Sequence, residues 1–198
     1  MALYAQAGDI YFTRGDSGLA KLIRWAETEP GEAPTWTNHV GAIVRQGYLI
    51  PPPGQDIAAT QLAQSIEALW HVQYGYWWEL HGNDVGVEVE VWRNLRQRSD
   101  GTARERRELL SHVGERYAWW RLLGFLGRRF TKVDFPKYFR LEHRNVCSTL
   151  VCLGKEAAGI HFSKRAAEMT PDMMRDECQA TVQWLEAGRG VVGDRRKR

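Results

Sequence analysis

Along the first half of the chain apolar and polar positions alternate at short range. Along the second half the apolar positions fall three and four apart. Period two is the signature of a strand and period 3.6 that of a helix. On this basis GDIYFTR reads as a short strand over about 8–14, and the apolar run His39-Val40-Gly41-Ala42-Ile43-Val44 as a buried strand over about 39–45. Ser65 to Val72, SIEALWHV, reads as a third strand (about 65–72), and VGVEVEVW, which alternates almost without fault, as a fourth (about 85–92). Leu19, Leu22, Ile23 and Ala26 share one face of a helix over about 18–27, with Asp16 or Ser17 as its cap. Residues 29–37 and Pro51 to Asp56 carry the prolines and glycines of loops, with a short helix expected over about 57–64.

The second half predicts a long arginine-rich helical segment over about 101–130. Leu109, Leu110, Val113, Tyr117, Trp120, Leu123 and Leu126 are its candidate buried positions. An aromatic, basic connector spans 131–145. Leu150, Val151, Gly154 and Ala158 give a helix over 147–158 an inward side, and Gly159 closes it. Thr170-Pro171-Asp172 opens a shorter helix, about 171–177, and EAGRGVVGDRRKR reads as a frayed basic tail over 186–198. The pattern predicts an α+β fold, a small antiparallel sheet against the helix at 147–158. It is read as one domain over 1–185 followed by the tail.

Composition narrows this. A length of 198 residues, 43% hydrophobic and 26% charged, suits one globular domain with a real core. A net charge of +3 is too small to argue for nucleic acid by itself. Three cysteines, Cys147, Cys152 and Cys178, cannot all pair, and neither CxxC nor zinc-finger spacing occurs. No glycine-rich phosphate loop or metal-ligand cluster stands out, so no cofactor and no metal is expected. The start, MALYAQAGDIYFTRGDSG, lacks a basic stretch followed by an apolar run, and no segment reaches the length of a membrane span. The expectation is a chain that stays in the cytoplasm, unless a phage particle or release at the cell envelope carries it out.

Candidate chemistry starts at Asn145 to Gly159, NVCSTLVCLGKEAAG. A cysteine in the first turn of a helix meets the positive end of the dipole and unpaired N–H groups, which favour thiolate over thiol. Cys147 holds that place, and the same N–H groups could hold an oxyanion. Cys152 falls inside the helix; both could equally be buried structural residues. A nucleophilic thiolate needs a base, and the base an orienting group. His39, at the start of an apolar strand, stands at the sheet rim, as a base or as a polar cap. Glu67 is a carboxylate inside an apolar strand, costly there unless paired, or else facing solvent. Tyr74, Tyr76, Trp77 and Trp78 form either a platform for a sugar or acyl chain or ordinary packing. The arginines Arg104, Arg106, Arg107, Arg116, Arg121, Arg128 and Arg129, with the end of the tail, form a solvated face or one for an anionic polymer.

GDIYFTR, NHVGAIV, SIEAL, NVCSTLV…AAG and TPDMM, in that order, resemble the circularly permuted papain-like superfamily. That group includes YiiX-like bacterial proteins, is related to NlpC-type peptidoglycan peptidases, and has lecithin retinol acyltransferase as a distant relative. The motifs cover most of residues 8–177. The resemblance implies a permuted papain-like fold, with Cys147 as nucleophile, His39 as base and Glu67 as orienting group. Gln46 and Glu79 are reserves for the third role, because PPPGQD lengthens the segment between His39 and Glu67. Asn38, Ser148, Tyr74 and Trp77 are the candidate substrate contacts. The implied activity is hydrolysis of an amide bond in peptidoglycan stem peptides or a related peptide. An ester or lipid acyl-hydrolase or acyltransferase on the same dyad is the alternative. A further alternative, of another class, is a structural or binding protein such as a phage tail component.

Overall fold

The computed structural model describes residues 2–28, 35–116 and 146–193. Its strands are β1 (Leu3–Ala5), β2 (Ile10–Arg14), β3 (His39–Arg45), β4 (Gly47–Ile50), β5 (Gln64–Ala68), β6 (Val72–Tyr76), β7 (Glu88–Asn94) and β8 (Trp184–Val191). Its helices are α1 (Gly18–Glu27), α2 (Trp77–His81), α3 (Ser99–Ser111), α4 (Cys147–Ala157) and α5 (Pro171–Ala180). Among the described residues, six strands form an antiparallel sheet in the order β6-β5-β3-β2-β7-β8, and β1 pairs with β4 beside it. The fold is α+β. No described helix is long and apolar enough to cross a membrane.

The sheet is covered on both faces, and the period of two decides which residue goes where. Ile10, Phe12, Val40, Ala42 and Ile66 point to one face, where Leu150 and Val151 of the cysteine helix α4 pack on them. Tyr11, Ile43, Val89 and Val91 point to the other, covered by Leu3, Leu49 and Ile50 of the β1–β4 pair and by Trp77 and Trp78 of α2. This explains why HVGAIV has no polar alternation.

Tyr11 pairs with Gly41 across β2 and β3. A Cβ at residue 41 would overlap the Tyr11 ring, so glycine is what lets the phenol lie across β3 and reach Glu67 on the next strand. On the other side of the sheet, α3 and α4 approach closely at two more glycines. A Cβ at Gly154 would meet Leu109 at 2.9 Å, and one at Gly101 the Ala158 carbonyl at 3.1 Å. Lys155 is wholly buried there; its ammonium donates to the Gly8 carbonyl at 2.5 Å and Gln97 at 2.9 Å and pairs with Glu105. Ser17 caps α1 by accepting from Ala20 N–H at 3.2 Å, and Thr170 caps α5 ahead of Pro171.

Several expectations are corrected. The strand expected over 65–72 is two strands, β5 and β6, joined by a turn at 69–71 with Trp70 exposed at its tip. The helix expected over 57–64 is one 3-10 turn, Ile57–Ala59, because the next residues pair with β4 through Tyr48. Within the segment expected as one helix over 101–130, the first helix, α3, ends at Ser111. His112 is held by Glu108 and Glu115, Gly114 turns the chain at φ +90°, and Val72 then pairs with residues 114–115. Of its described candidate core positions only Leu109 is buried; Leu110 and Val113 are exposed. Tyr117, Trp120, Leu123, Leu126 and the connector over 131–145 lie outside the described residues. Leu22 of α1 is exposed rather than on a core face, and the side chains of Leu19 and Ala26 lie outside the described residues.

The described start of the tail expected from residue 186 is instead strand, as far as Val191. β8 pairs with β7 along its length. Its glycines are sites of close approach: a Cβ at Gly188 would meet Leu3, and one at Gly190 would meet Ile50, each at 2.7 Å. Residues 194–198 lie outside the described residues.

Gly41→Ala forces the Tyr11 ring to move and is expected to cost about 1–3 kcal/mol of stability, the usual range for overpacking. Urea unfolding checks this, and Tyr11→Ala combined with Gly41→Ala should lose less than the sum of the two. An unchanged midpoint in Gly41→Ala would mean that the ring does not occupy that hollow.

Candidate active site

Cys147 opens α4 and is 5% exposed. The His39 ring and the backbone N–H groups of Val40 and Ser148 neighbour its sulfur. Burial opposes ionisation of this thiol, but the His39 hydrogen bond and charge and the two N–H groups outweigh it, so its pKa falls below the ordinary value. The other cysteines behave oppositely. Burial pushes Cys152 up to about 12 and Cys178 higher still.

His39 begins β3. Its Nε2 lies 2.7 Å from Oε2 of Glu67, and its ring also neighbours the Cys147 thiol. Burial alone would lower the His39 pKa. Hydrogen bonds to Cys147 and Glu67, and the charges of both, reverse this and lift it to about 10. Thr37, whose hydroxyl bonds the Thr13 and His39 carbonyls, fixes the chain as it enters β3. Asp172 of α5 accepts the Trp36 N–H just before it.

Glu67 is 0% exposed. Oε2 accepts from Tyr11 at 3.0 Å, His39 at 2.7 Å and His81 at 2.9 Å; Oε1 accepts from His81 at 3.0 Å and Gln73 at 3.4 Å. Burial disfavours its charge, but the His81 charge and the hydrogen bonds from both histidines hold its pKa well below the usual carboxylate range. Burial and the Glu67 charge push Tyr11 far up, which keeps the phenol a donor.

The structure therefore brings Cys147, His39 and Glu67 together, in the order thiol, imidazole, carboxylate. The reserves for the third position lie elsewhere: Gln46 and Glu79 are both exposed. Asn38 borders the site but uses its side-chain oxygen to accept Gly15 N–H at 2.8 Å. Ser148 spends its hydroxyl on the Met169 carbonyl at 2.6 Å, and only its N–H faces the sulfur. Trp77 is no platform: it is fully buried against Tyr11 and His81. Tyr74 is exposed on the edge strand, where its hydroxyl meets Gln64 at 2.6 Å.

Sequence reasoning missed His81. It ends α2 with its ring 4.8 Å from that of Trp77, and its Nδ1 lies 3.0 Å from Asp84. The available signal was its spacing, four residues after a buried tryptophan and three before a carboxylate. Burial lowers its pKa, but the Glu67 charge and bonds to Asp84 and Glu67 raise it to about 9.

A cavity of about 610 Å³ borders His39 and His81. Ile23, Leu69, Trp70, Val85 and Val87 give it an apolar wall, and Asp16, Asn38 and Asp84 a polar rim. Among the described residues no group of His, Cys, Asp and Glu is arranged to hold a metal ion. Where His39, Glu67 and His81 meet, the donors and acceptors touch directly by hydrogen bonds.

No protein-family profile and no curated protein matches the chain. Among solved structures it is similar to the metalloprotein yiiX from Escherichia coli O157:H7, at 17% sequence identity and a TM-score of 0.48, over 80% of this chain and 69% of that one.

The network makes stability depend on pH in a defined direction. Glu67 is depressed, so its share is present above the unfolded carboxyl value of about 4.3 and is lost as pH falls below it. His39 and His81 are raised, so theirs is full below about 6.5 and is lost as pH rises through the folded values near 9 and 10. The melting-temperature advantage of wild type over Glu67→Gln should peak between those limits, near pH 5–6, and shrink on both sides. A pH-independent difference would contradict the assigned charges.

Proposed function

We propose that this chain is a cysteine hydrolase of permuted papain-like fold that cleaves an amide bond. Peptidoglycan stem peptides or related peptides are the preferred substrates. The observation that carries this reading is the place of the His39 ring, next to the Cys147 thiol and with its Nε2 2.7 Å from the buried Glu67. A structural histidine has no need of a thiol on one side and a desolvated carboxylate on the other.

The chemistry follows from that arrangement. The Cys147 thiolate adds to the carbonyl carbon, and the carbonyl electron pair moves to oxygen. The N–H groups at the start of α4 would serve as donors for that developing charge. As the tetrahedral species collapses, the C–N bond breaks and the His39 proton passes to the departing nitrogen. The amine leaves and a thioester remains. Water then attacks, giving its proton to His39; the C–S bond breaks and the thiolate returns. Glu67 fixes the tautomer and raises the basicity of the imidazole throughout.

One observation favours a second reading. The apolar cavity beside His39, with Leu69, Val85 and Val87 in its wall, would accept an acyl chain as readily as a peptide side chain. This keeps an ester or lipid acyl-hydrolase in view. The aromatic run does not help it, because Trp77 and Trp78 are buried.

A panel of muropeptides and acyl esters separates the two readings. Hydrolysis of the accepted class should fall by about 10³-fold or more in Cys147→Ala and by about 10²–10⁴-fold in His39→Ala, the range for loss of a general base. Unchanged hydrolysis in Cys147→Ala would rule out the thiol mechanism for both classes.

A further inference from the structure

The mechanism above leaves unused a buried imidazole that touches Glu67. His81 sits at the end of α2, opposite His39 across the Glu67 carboxylate. Both of its ring nitrogens face carboxylate oxygens. Nε2 lies 2.9 Å and 3.0 Å from the two oxygens of Glu67, and Nδ1 lies 3.0 Å from Oδ2 of Asp84. An ionised carboxylate only accepts, whereas a neutral imidazole has a single N–H. Both nitrogens must therefore carry a proton, and His81 is an imidazolium.

The groups around it agree with that charge. Glu67 reaches it from β5 and Asp84 from the following loop. Tyr11 of β2 presents its ring 6.4 Å away and keeps its own proton on Glu67, while Trp77 of α2 covers the imidazole at 4.8 Å. Asp16 lines the same cavity. His39 is the other cation-capable group, 6.5 Å away between ring centres, and it shares Oε2 of Glu67 with His81. Asp84 is half exposed, so the chain Asp84–His81–Glu67–His39–Cys147 runs from the cavity rim to the buried thiol.

We propose that His81 is a positioning residue of the Cys147–His39 pair: a fixed imidazolium, anchored by Asp84, that shares Glu67 with His39 and keeps the carboxylate from acting on His39 with its full charge. This rests on the thiol-hydrolase reading. Without His81, Glu67 loses its strongest donor on Oε1 and keeps only Gln73 there at 3.4 Å. Its whole negative charge then bears on His39, which holds its proton more tightly and gives it up less readily to a leaving group. The shared arrangement therefore sets the imidazole between two demands, basic enough to ionise the thiol and acidic enough to protonate the departing amine.

The test uses the full chain and two readouts. In histidine-¹⁵N-labelled protein at pH 7, two-bond ¹H–¹⁵N spectra should show both His81 nitrogens protonated, with titration only toward pH 9. A neutral tautomer at pH 7 would overturn the proposal. The second readout is Cys147 alkylation against pH. In His81→Gln the alkaline limb, which reports the His39 proton, should move up by about one unit, a tenfold change in proton affinity. A profile identical to wild type, with only a lower melting temperature, would make His81 merely structural. Should His81→Gln fail to fold, Asp84→Asn serves, because its side chain is half exposed. It should bring the His81 titration down toward neutrality, and an unmoved titration would sink the idea. His39→Ala separates the two levels. If it abolishes the low-pH reactivity of Cys147 while His81→Gln leaves the profile alone, the positioning role fails and the nucleophile stands. An ordinary thiol at Cys147 in wild type overturns the hydrolase reading itself.

Discussion

A carboxylate with no exposure to water is the constraint around which this molecule is arranged. Taking Glu67 out of solvent as an ion costs several kcal/mol unless donors replace the lost hydration. The donors come from β2, β3, β6 and α2, through Tyr11, His39, Gln73 and His81. Each of these elements must then arrive in register. β2 must place Tyr11 over Gly41, β3 must begin at His39, and α2 must turn back from β6 in time to aim its last residue inward. A one-residue slip in β2 or β3 would send its donor to the opposite face of the sheet and leave the charge uncompensated.

The thiol side follows a different logic. Cys147 belongs to the core cluster on the face away from Tyr11 and Trp77, yet it reaches His39 because both stand at element ends. The helix start and the strand start meet at the rim of the sheet, where side chains of opposite faces can touch. Val40 contributes through its backbone N–H, which faces the sulfur, while its side chain serves the core. Rigidity comes from behind the helix. Lys155 ties α4 to Gly8, Gln97 and Glu105, and Arg104 donates to the Ala157 carbonyl at the end of α4.

Cys147, His39 and Glu67 are legible in the sequence because each breaks a local expectation. One is a thiol at a helix tip, one an imidazole opening an apolar run, and one a charge inside a strand. The four strands expected from periodicity all lie within the observed sheet, although one of them is two. Illegible features depend on what arrives from elsewhere. Whether Trp77 and Trp78 form a platform or pack is open in the sequence, and it is decided only by the cluster they share with Leu3, Leu49 and Ile50 of the β1–β4 pair. The stretch from residue 186 reads as a frayed tail until Leu3 and Ile50 need the space above Gly188 and Gly190. His81 has no period to betray it, since α2 is only five residues long and its meaning lies in Glu67, fourteen positions earlier. Leu110 lies within α3 but beside the buried face that Leu109 occupies, and Val113 lies past the point where His112 and Gly114 end the helix.

The fit between the Tyr11 ring and the hollow above Gly41 also bears on how this sequence can drift. Neither position can change freely alone. A side chain at 41 collides while the ring is present, and a small residue at 11 leaves both a void and a carboxylate short of a donor. Any lineage that abandons the pair must cross an intermediate that is either overfilled or hollow. The two sites, thirty residues apart in the chain, therefore behave as one heritable unit. The order in which substitutions arrive there matters as much as their identity.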